Sequence, residues 1–216
     1  MVDLTLIPAI KETVRQNEIG AGSPYQLDFA ELGKSGASFG FMQGDTNVSS
    51  LARNTLSQVL AAARTAQPDI DRILAALSQA LPNGNPLSDA DTTAVNTALS
   101  SPAGQVLVNG MDNTLMQGVL EGLDSCSAAA GAVGLTLVPI VYLYIAPWIN
   151  MTGPPTLLNT YLGGNAVHGV PAPTPPTVTE TDIVAYLQAT AYFQIHPRNF
   201  QHLQQCVAAG AALLPD

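Results

Sequence analysis

The sequence predicts a mainly α-helical protein of the α+β class, with a small β-hairpin lobe near the N-terminus and a buried apolar helix in the middle of the chain. Apolar residues recur at helical spacing through most of the 216 residues. The stretch from Gly20 to Asp45 is instead rich in Gly, Ser, Pro and aromatic residues, which is typical of a long loop or a hairpin. Residues 127–149 are almost wholly apolar, as expected of a helix inside the core.

A chain of this length can bury a core of its own. Hydrophobic residues make up 47% and charged residues 11% of the sequence, which argues against disorder. We therefore predict one domain over residues 1–216. Its expected parts are the first helix and hairpin lobe (1–50), a helical core (51–150), a stiff, extended Pro-rich connector (151–180) and C-terminal helices (181–216).

The first helix is predicted over residues 4–17. Leu6, Ile10 and Val14 recur at a spacing of four, and Gly20 and Gly22 break the pattern after Glu18. This places Glu18 at the C-terminal end of the helix. Further helices are predicted from the same periodicity over residues 48–66, 69–81, 89–100, 102–124 and 181–213, the last interrupted at Pro197. Start signals are seen at Ser88, at Ser101-Pro102 and at Thr179-Glu-Thr-Asp182.

The apolar run 127–149 is long enough to be considered as a membrane span. Pro139 and Pro147 interrupt it, and no Asp, Glu, Lys or Arg stands between Asp124 and Glu180 to anchor its ends. These features favour a helix buried in the domain, and a membrane is an unlikely partner.

Charge excludes one class of partner. Seven Lys and Arg against sixteen Asp and Glu give a net charge of −9. A field of this sign repels phosphate backbones and anionic bilayers. Nucleic acid is therefore excluded as a partner.

No metal or cofactor is expected. His168, His196 and His202 are too dispersed to form a metal site, and Gly33-Lys-Ser35 lacks the glycine pattern of a nucleotide-binding loop.

The sequence contains two cysteines, Cys126 and Cys206. They allow either one long-loop disulfide or two buried thiols, and we favour the thiols.

The most informative segment is Gly36-Ala-Ser-Phe-Gly-Phe-Met-Gln-Gly-Asp45. Its small residues let backbone approach a ligand, and its larger side chains alternate between two faces. This segment resembles the Gly-x-x-Phe-Gly-x-Met-Gln-x-Asp run of goose-type lysozymes and, more loosely, the small-x-Gly-x-Met-Gln run of lytic transglycosylases. In both families the catalytic Glu ends an upstream helix, as Glu18 does here, although the separation from Gln43 is a few residues longer. The resemblance covers about residues 5–50.

A second resemblance concerns Glu18 and Tyr25. With six residues between them, they are similar to the Glu and Tyr of phage-type lysozymes, in which an Asp follows. Asp28 stands one place later than that pattern requires. Together the resemblances imply a lysozyme-like helical fold with a hairpin lobe, and the run 127–149 would supply its long buried helix.

The resemblance implies a glycoside hydrolase with Glu18 as the general acid. Asp45, by the goose-type match, or Asp28, by the phage-type match, would assist an attacking water from the opposite sugar face, which leads to inversion. Asp45 has an equally simple alternative role as the cap of the helix that begins near residue 48. Four further side chains are predicted to bind sugar: Tyr25, Ser38, Phe39 and Gln43. Tyr25, Ser38 and Gln43 could equally stabilise the hairpin, whereas the pattern favours Phe39 as a core residue.

The implied substrate is a β-linked amino-sugar polysaccharide, and peptidoglycan is the first candidate. The negative net charge keeps chitosan-like and other glucans as alternatives. A lytic transglycosylase, which would use Glu18 alone, a lysozyme-fold module that binds sugar without cutting it, and a membrane-active protein are further alternatives. Action outside the cytoplasm is expected, although residues 1–6 carry no visible secretory signal.

Overall fold

The computed structural model describes residues 1–29 and 33–215, and in these ranges the protein is mainly α-helical with two small sheets. A 3-10 turn (Leu4–Leu6) precedes the first helix. The helices are α1 (Ile7–Glu18), α2 (Ser50–Ala62), α3 (Gln67–Leu77), α4 (Asp89–Ser100), α5 (Pro102–Gly131), α6 (Pro139–Thr152), α7 (Thr156–Leu162), α8 (Glu180–Gln188), α9 (Ala191–Ile195) and α10 (Pro197–Ala211). The predicted fold class, mainly α with a small β lobe, is confirmed.

The predicted hairpin lobe is a three-stranded antiparallel sheet. Its strands are β1 (Asp28–Phe29), β2 (Ala37–Phe39) and β3 (Gly44–Asp45), in the order β1-β2-β3. A separate parallel pair joins β4 (Thr136–Leu137) to β5 (Thr177–Val178).

The chain divides into two compact units. The terminal unit comprises Met1–Gly20 and Met116–Asp216, and the middle unit comprises Ala21–Leu115. The assignment of both units to a single domain stays a prediction.

In the terminal unit, α1 packs against α10 and α6, and α10 also packs against α6. Gly210 allows α10 to approach α1 closely, because a Cβ at that position would lie 1.9 Å from Thr13 Oγ1 and 2.7 Å from the Ala9 carbonyl oxygen. Thr13 is buried, and its hydroxyl donates to the Ala9 carbonyl. The contact therefore fixes α1, the helix that ends at Glu18.

In the middle unit, α2 packs against α3 and α4, and β3 packs against α2. The inner faces of these elements form one apolar cluster that includes Phe39, Leu56, Leu77 and Leu99, each of them fully buried. The sheet therefore packs on a helical core.

Several start signals read from the sequence are confirmed. Ser88 caps α4 by accepting from the Asp91 N–H, and Thr179 and Asp182 form the capping box that begins α8. Pro197, predicted as an interruption of the last helical segment, is the first residue of α10, where its missing N–H costs nothing. The last predicted helical segment is three helices, α8, α9 and α10, rather than one or two.

Two predictions about the middle of the sequence were wrong. Residues 127–149 do not form one helix, because α5 ends at Gly131, Gly134 turns the chain at a φ of +78°, and Pro139 starts α6 after the short strand β4. The core-buried apolar helix is α6, seven of whose residues are buried. The predicted connector is not extended throughout, since it contains α7.

Within the described ranges, every helix falls short of the combination of length and apolar character needed to cross a bilayer.

Candidate functional site

Glu18 is the last residue of α1, as predicted, and it lines a cavity of the terminal unit. This space of about 250 Å³, here called the Glu18 cavity, is bounded by the C-terminal ends of α1 and α6, by α9 and by α10. Its lining residues are Asn17, Glu18, Met151, Tyr192, Phe193, Asn199, His202 and Leu203. The predicted acid therefore lines a small recess in the terminal unit.

The Glu18 carboxylate is oriented by its neighbour. Glu18 is half-buried, and Asn17 Nδ2 donates a hydrogen bond of 2.9 Å to Glu18 Oε1. α1 is itself held by its buried residues Ile10 and Val14 against the other helices. The carboxyl group thus has a fixed backbone and a defined direction.

The lining of the Glu18 cavity also includes an aromatic ring bonded to an amide. Asn199 Nδ2 donates a hydrogen bond of 2.8 Å to the Tyr192 hydroxyl. The Tyr192 ring meets Phe193 edge to face, with centroids 5.0 Å apart, yet 37% of Tyr192 remains exposed. A fixed, partly exposed ring beside amide groups is a suitable surface for a sugar, whose ring has an apolar C–H face and polar hydroxyl edges.

A thiol lies behind this cavity. The Cys206 Sγ atom is 3.5 Å from His202 Nε2. Burial raises the pKa of Cys206 to about 11, and the nearby Glu18 carboxylate adds to the effect. Burial also raises the pKa of Cys126 to about 12. Both cysteines are free and buried, as favoured from the sequence.

These raised pKa values give a direct prediction of thiol reactivity. At pH 8 the native protein should react with a disulfide reagent at least roughly 200-fold more slowly than a free thiol, because so little thiolate is present. Unfolding in guanidinium should expose both thiols to the reagent. Measuring the absorbance of the released reagent, with and without denaturant, checks this, and rapid modification of the native protein would contradict it.

The predicted residues of the hairpin lobe lie in the middle unit, whereas Glu18 belongs to the terminal unit. Within the sheet, Asp28 pairs with Ser38, and Ser38 pairs with Asp45. Directly opposed residues of antiparallel strands project from the same face. The structure therefore brings Asp28, Ser38 and Asp45 together in one row.

Asp45 stabilises the turn that follows β3 by accepting hydrogen bonds from backbone N–H groups. Its two carboxylate oxygens each accept from the Gly36 N–H at 3.1 Å, and Oδ1 also accepts from the Asn47 N–H at 2.7 Å. The N-cap of α2 is Ser49, not Asp45. Asp45 thus ties β2 and the turn together, and its catalytic role stays a prediction.

The other predicted residues divide between surface and core. Asp28 is exposed, and its Oδ1 accepts from the Phe29 N–H. Ser38 is buried, with 7% of its surface exposed. Phe39 is fully buried in the apolar cluster and has no ring face to offer a sugar. Its place in β2 is that of a core residue, which corrects its predicted binding role.

Tyr25 and Gln43 make contacts that stabilise their own lobe. The Tyr25 hydroxyl donates to Asn109 Oδ1 at 3.0 Å. Gln43 adopts a φ of +50°, and its backbone N–H and Nε2 each donate to the Gly40 carbonyl at 3.2 Å. These bonds close the turn between β2 and β3. The sugar-binding roles of both residues stay predictions.

The sequence reasoning missed Asp112, the residue that holds this turn. Asp112 is fully buried on α5, and its Oδ2 and Oδ1 accept from the Phe41 and Met42 N–H groups at 3.0 and 3.1 Å. Gly40 is required beside it, because a Cβ there would lie 2.3 Å from Asp112 Oδ1. One signal in the sequence could have identified Asp112. It lies four residues from Val108 and from Met116, so it shares a helix face with two apolar residues, and both of these are buried.

Among the residues that the structure describes, no group of three or more His, Cys, Asp or Glu side chains is arranged to hold a metal ion. In comparisons with known proteins, no protein-family model, no curated protein and no solved structure matches the chain.

Proposed function

We propose that the protein is a glycoside hydrolase that cleaves a β-linked amino-sugar polysaccharide, with peptidoglycan as the first candidate and Glu18 as the general acid. The observation that supports this proposal is the Glu18 cavity. There a half-buried carboxyl at a helix end shares a recess with a partly exposed aromatic ring and two amide side chains.

The chemistry needs a proton at the bond that breaks. Protonated Glu18 donates its proton to the glycosidic oxygen, the bond from that oxygen to the anomeric carbon breaks, and the leaving sugar departs as an alcohol. Tyr192 offers a ring against which a pyranose can pack, and Asn17 and Asn199 offer amide groups to sugar hydroxyls. A water molecule then attacks the anomeric carbon, and the proton that it releases restores the acid form of Glu18 through solvent.

A lytic transglycosylase is the second candidate, and the lining of the Glu18 cavity favours it. Glu18 is the single acidic side chain among the described residues that line this cavity. A transglycosylase would use one acid, with a sugar hydroxyl rather than water as the group that attacks the anomeric carbon. The Asp45 carboxylate already binds the backbone of its own lobe.

Product masses on a polysaccharide panel test both candidates. The purified protein is incubated with peptidoglycan, chitin, chitosan and a neutral β-glucan, and soluble products are measured by mass spectrometry. Hydrolysis gives fragments that carry one added water, whereas transglycosylation gives fragments without it. Absence of cleaved product from every polymer would refute the enzymatic proposal.

The roles of the two aspartates are decided in the same assay. If either Asp28 or Asp45 acts as a second catalytic carboxyl, its replacement by asparagine should lower the rate at least roughly a hundredfold. If Glu18 acts alone, the double variant should keep most of the activity. Thermal unfolding of each variant separates a catalytic loss from a folding defect, which matters most for Asp45 because of its hydrogen bonds to the turn.

A further inference from the structure

A second cavity of the terminal unit lies beside the Glu18 cavity. It has a volume of about 410 Å³, within the usual range for small-molecule sites. Its walls come from α6, α7, α8 and α9 and include Trp148, Leu157, Tyr186, Ala191 and Tyr192. We call it the Trp148 cavity. No Asp, Glu, Lys or Arg is found among its described lining residues.

Tyr192 belongs to both cavities. On one side its hydroxyl accepts from Asn199, which lines the Glu18 cavity. On the other side its ring meets Trp148 edge to face, with centroids 6.2 Å apart and an interplanar angle of 60°. The two cavities are therefore neighbours that share one aromatic side chain.

We propose that the Trp148 cavity is a sugar subsite, which binds one ring of a polysaccharide while a nearby ring of the same chain occupies the Glu18 cavity. This inference rests on the proposed function. It adds that the protein binds at least two sugar rings of the polysaccharide. A sugar of the same polymer is the expected occupant, because Tyr192 lines both cavities and one polysaccharide chain could contact it from both.

The residues that line the Trp148 cavity also determine which kind of sugar ring it should bind. Apolar and aromatic walls pack against the C–H face of a pyranose and against the methyl of an acetamido group. A free ammonium would lose water in this cavity without gaining a carboxylate partner. The subsite should therefore bind an uncharged, acetylated ring in preference to its deacetylated, cationic counterpart.

Oligosaccharide binding to the full chain carrying Glu18→Gln tests the subsite without cleavage. Calorimetry is performed with N-acetylglucosamine oligomers of two to six sugars and with the deacetylated oligomers. The expected affinity rises about tenfold once the acetylated oligomer is long enough to reach both cavities, and rises less in the deacetylated series.

Ala191→Trp is the blocking variant, because Ala191 is exposed and lines the Trp148 cavity but not the Glu18 cavity. Ala191→Trp should abolish the gain in affinity for long oligomers and leave the affinity for the shortest binding oligomer unchanged. Ile195→Trp is the matched control, since Ile195 lies on the same helix, is 72% exposed and lines neither cavity.

The outcomes separate this inference from the proposed function. If the native protein cuts sugar polymers but Ala191→Trp and Ile195→Trp bind every oligomer alike, the subsite is refuted and the enzyme stands. If no polymer is cut but the length dependence and its loss in Ala191→Trp are seen, the subsite stands as a binding site. Failure of the Glu18→Gln protein to bind any oligomer overturns the subsite.

Discussion

Replacing Glu18 with glutamine is expected to lower the rate of glycoside cleavage by roughly a thousandfold. Glutamine keeps the length of the side chain, and its carbonyl oxygen can still accept from Asn17 Nδ2, as Glu18 Oε1 does. It carries no proton that can be transferred to the glycosidic oxygen. Initial rates of product formation on the best polymer of the panel, with enzyme in excess if necessary, provide the measurement.

Glu12→Gln is the matched control for this experiment. Glu12 lies on the same helix, and its carboxylate receives 2.7 and 2.9 Å hydrogen bonds from Arg15. The variant loses an ion pair and one negative charge without changing the Glu18 cavity, so its cleavage rate should stay close to that of the native protein. Equal rates for Glu18→Gln and Glu12→Gln, with both proteins folded, would remove Glu18 from the mechanism.

Replacing Asp112 with alanine is expected to lower the free energy of unfolding by roughly 4 kcal/mol. The change leaves the Phe41 and Met42 N–H groups without the carboxylate that accepts from them inside the protein. Each buried donor that loses its partner costs about 1–3 kcal/mol. Denaturant unfolding of the native and variant proteins gives the difference.

Hydrogen exchange shows whether the loss has the expected cause. The Phe41 and Met42 amides should lose protection in Asp112→Ala, while the Thr46 amide, which donates to the Ala37 carbonyl, should lose much less. Asp112→Asn keeps one acceptor and turns an NH₂ towards one of the two donors, so it should fall between the native protein and Asp112→Ala. Unchanged protection of both amides in Asp112→Ala would contradict this account of the turn.

Local signals in the sequence predicted much of the helical structure. Apolar spacing predicted α1 and placed Glu18 at its end, and Ser88 and Thr179 predicted the starts of α4 and α8. These features depend on residues within a few positions of one another, which periodicity and capping rules describe directly. The small antiparallel sheet was predicted from the change in composition after Gly20.

The features that were missed depend on contacts between distant parts of the sequence. The apolar run 127–149 predicts one helix, because hydrophobicity alone does not distinguish a continuous helix from two helices joined through β4. The strand β4 pairs with the distant β5. The sequence presents Phe39 both as a core residue and as a candidate sugar contact, because the hairpin motif does not show which face of β2 meets the helices. Asp112 lies 70 residues from its backbone donor at Met42, so the motif alone cannot reveal it.

The position of Trp148 makes occupancy of its cavity visible without a label. It is the single tryptophan of the sequence, it is half-buried, and it contacts both Tyr192 and Phe193. All of the indole emission of the protein therefore arises at this wall. A ring that displaces water from it should shift the emission to shorter wavelength, and excitation near 295 nm, about where tyrosine no longer absorbs, isolates that signal.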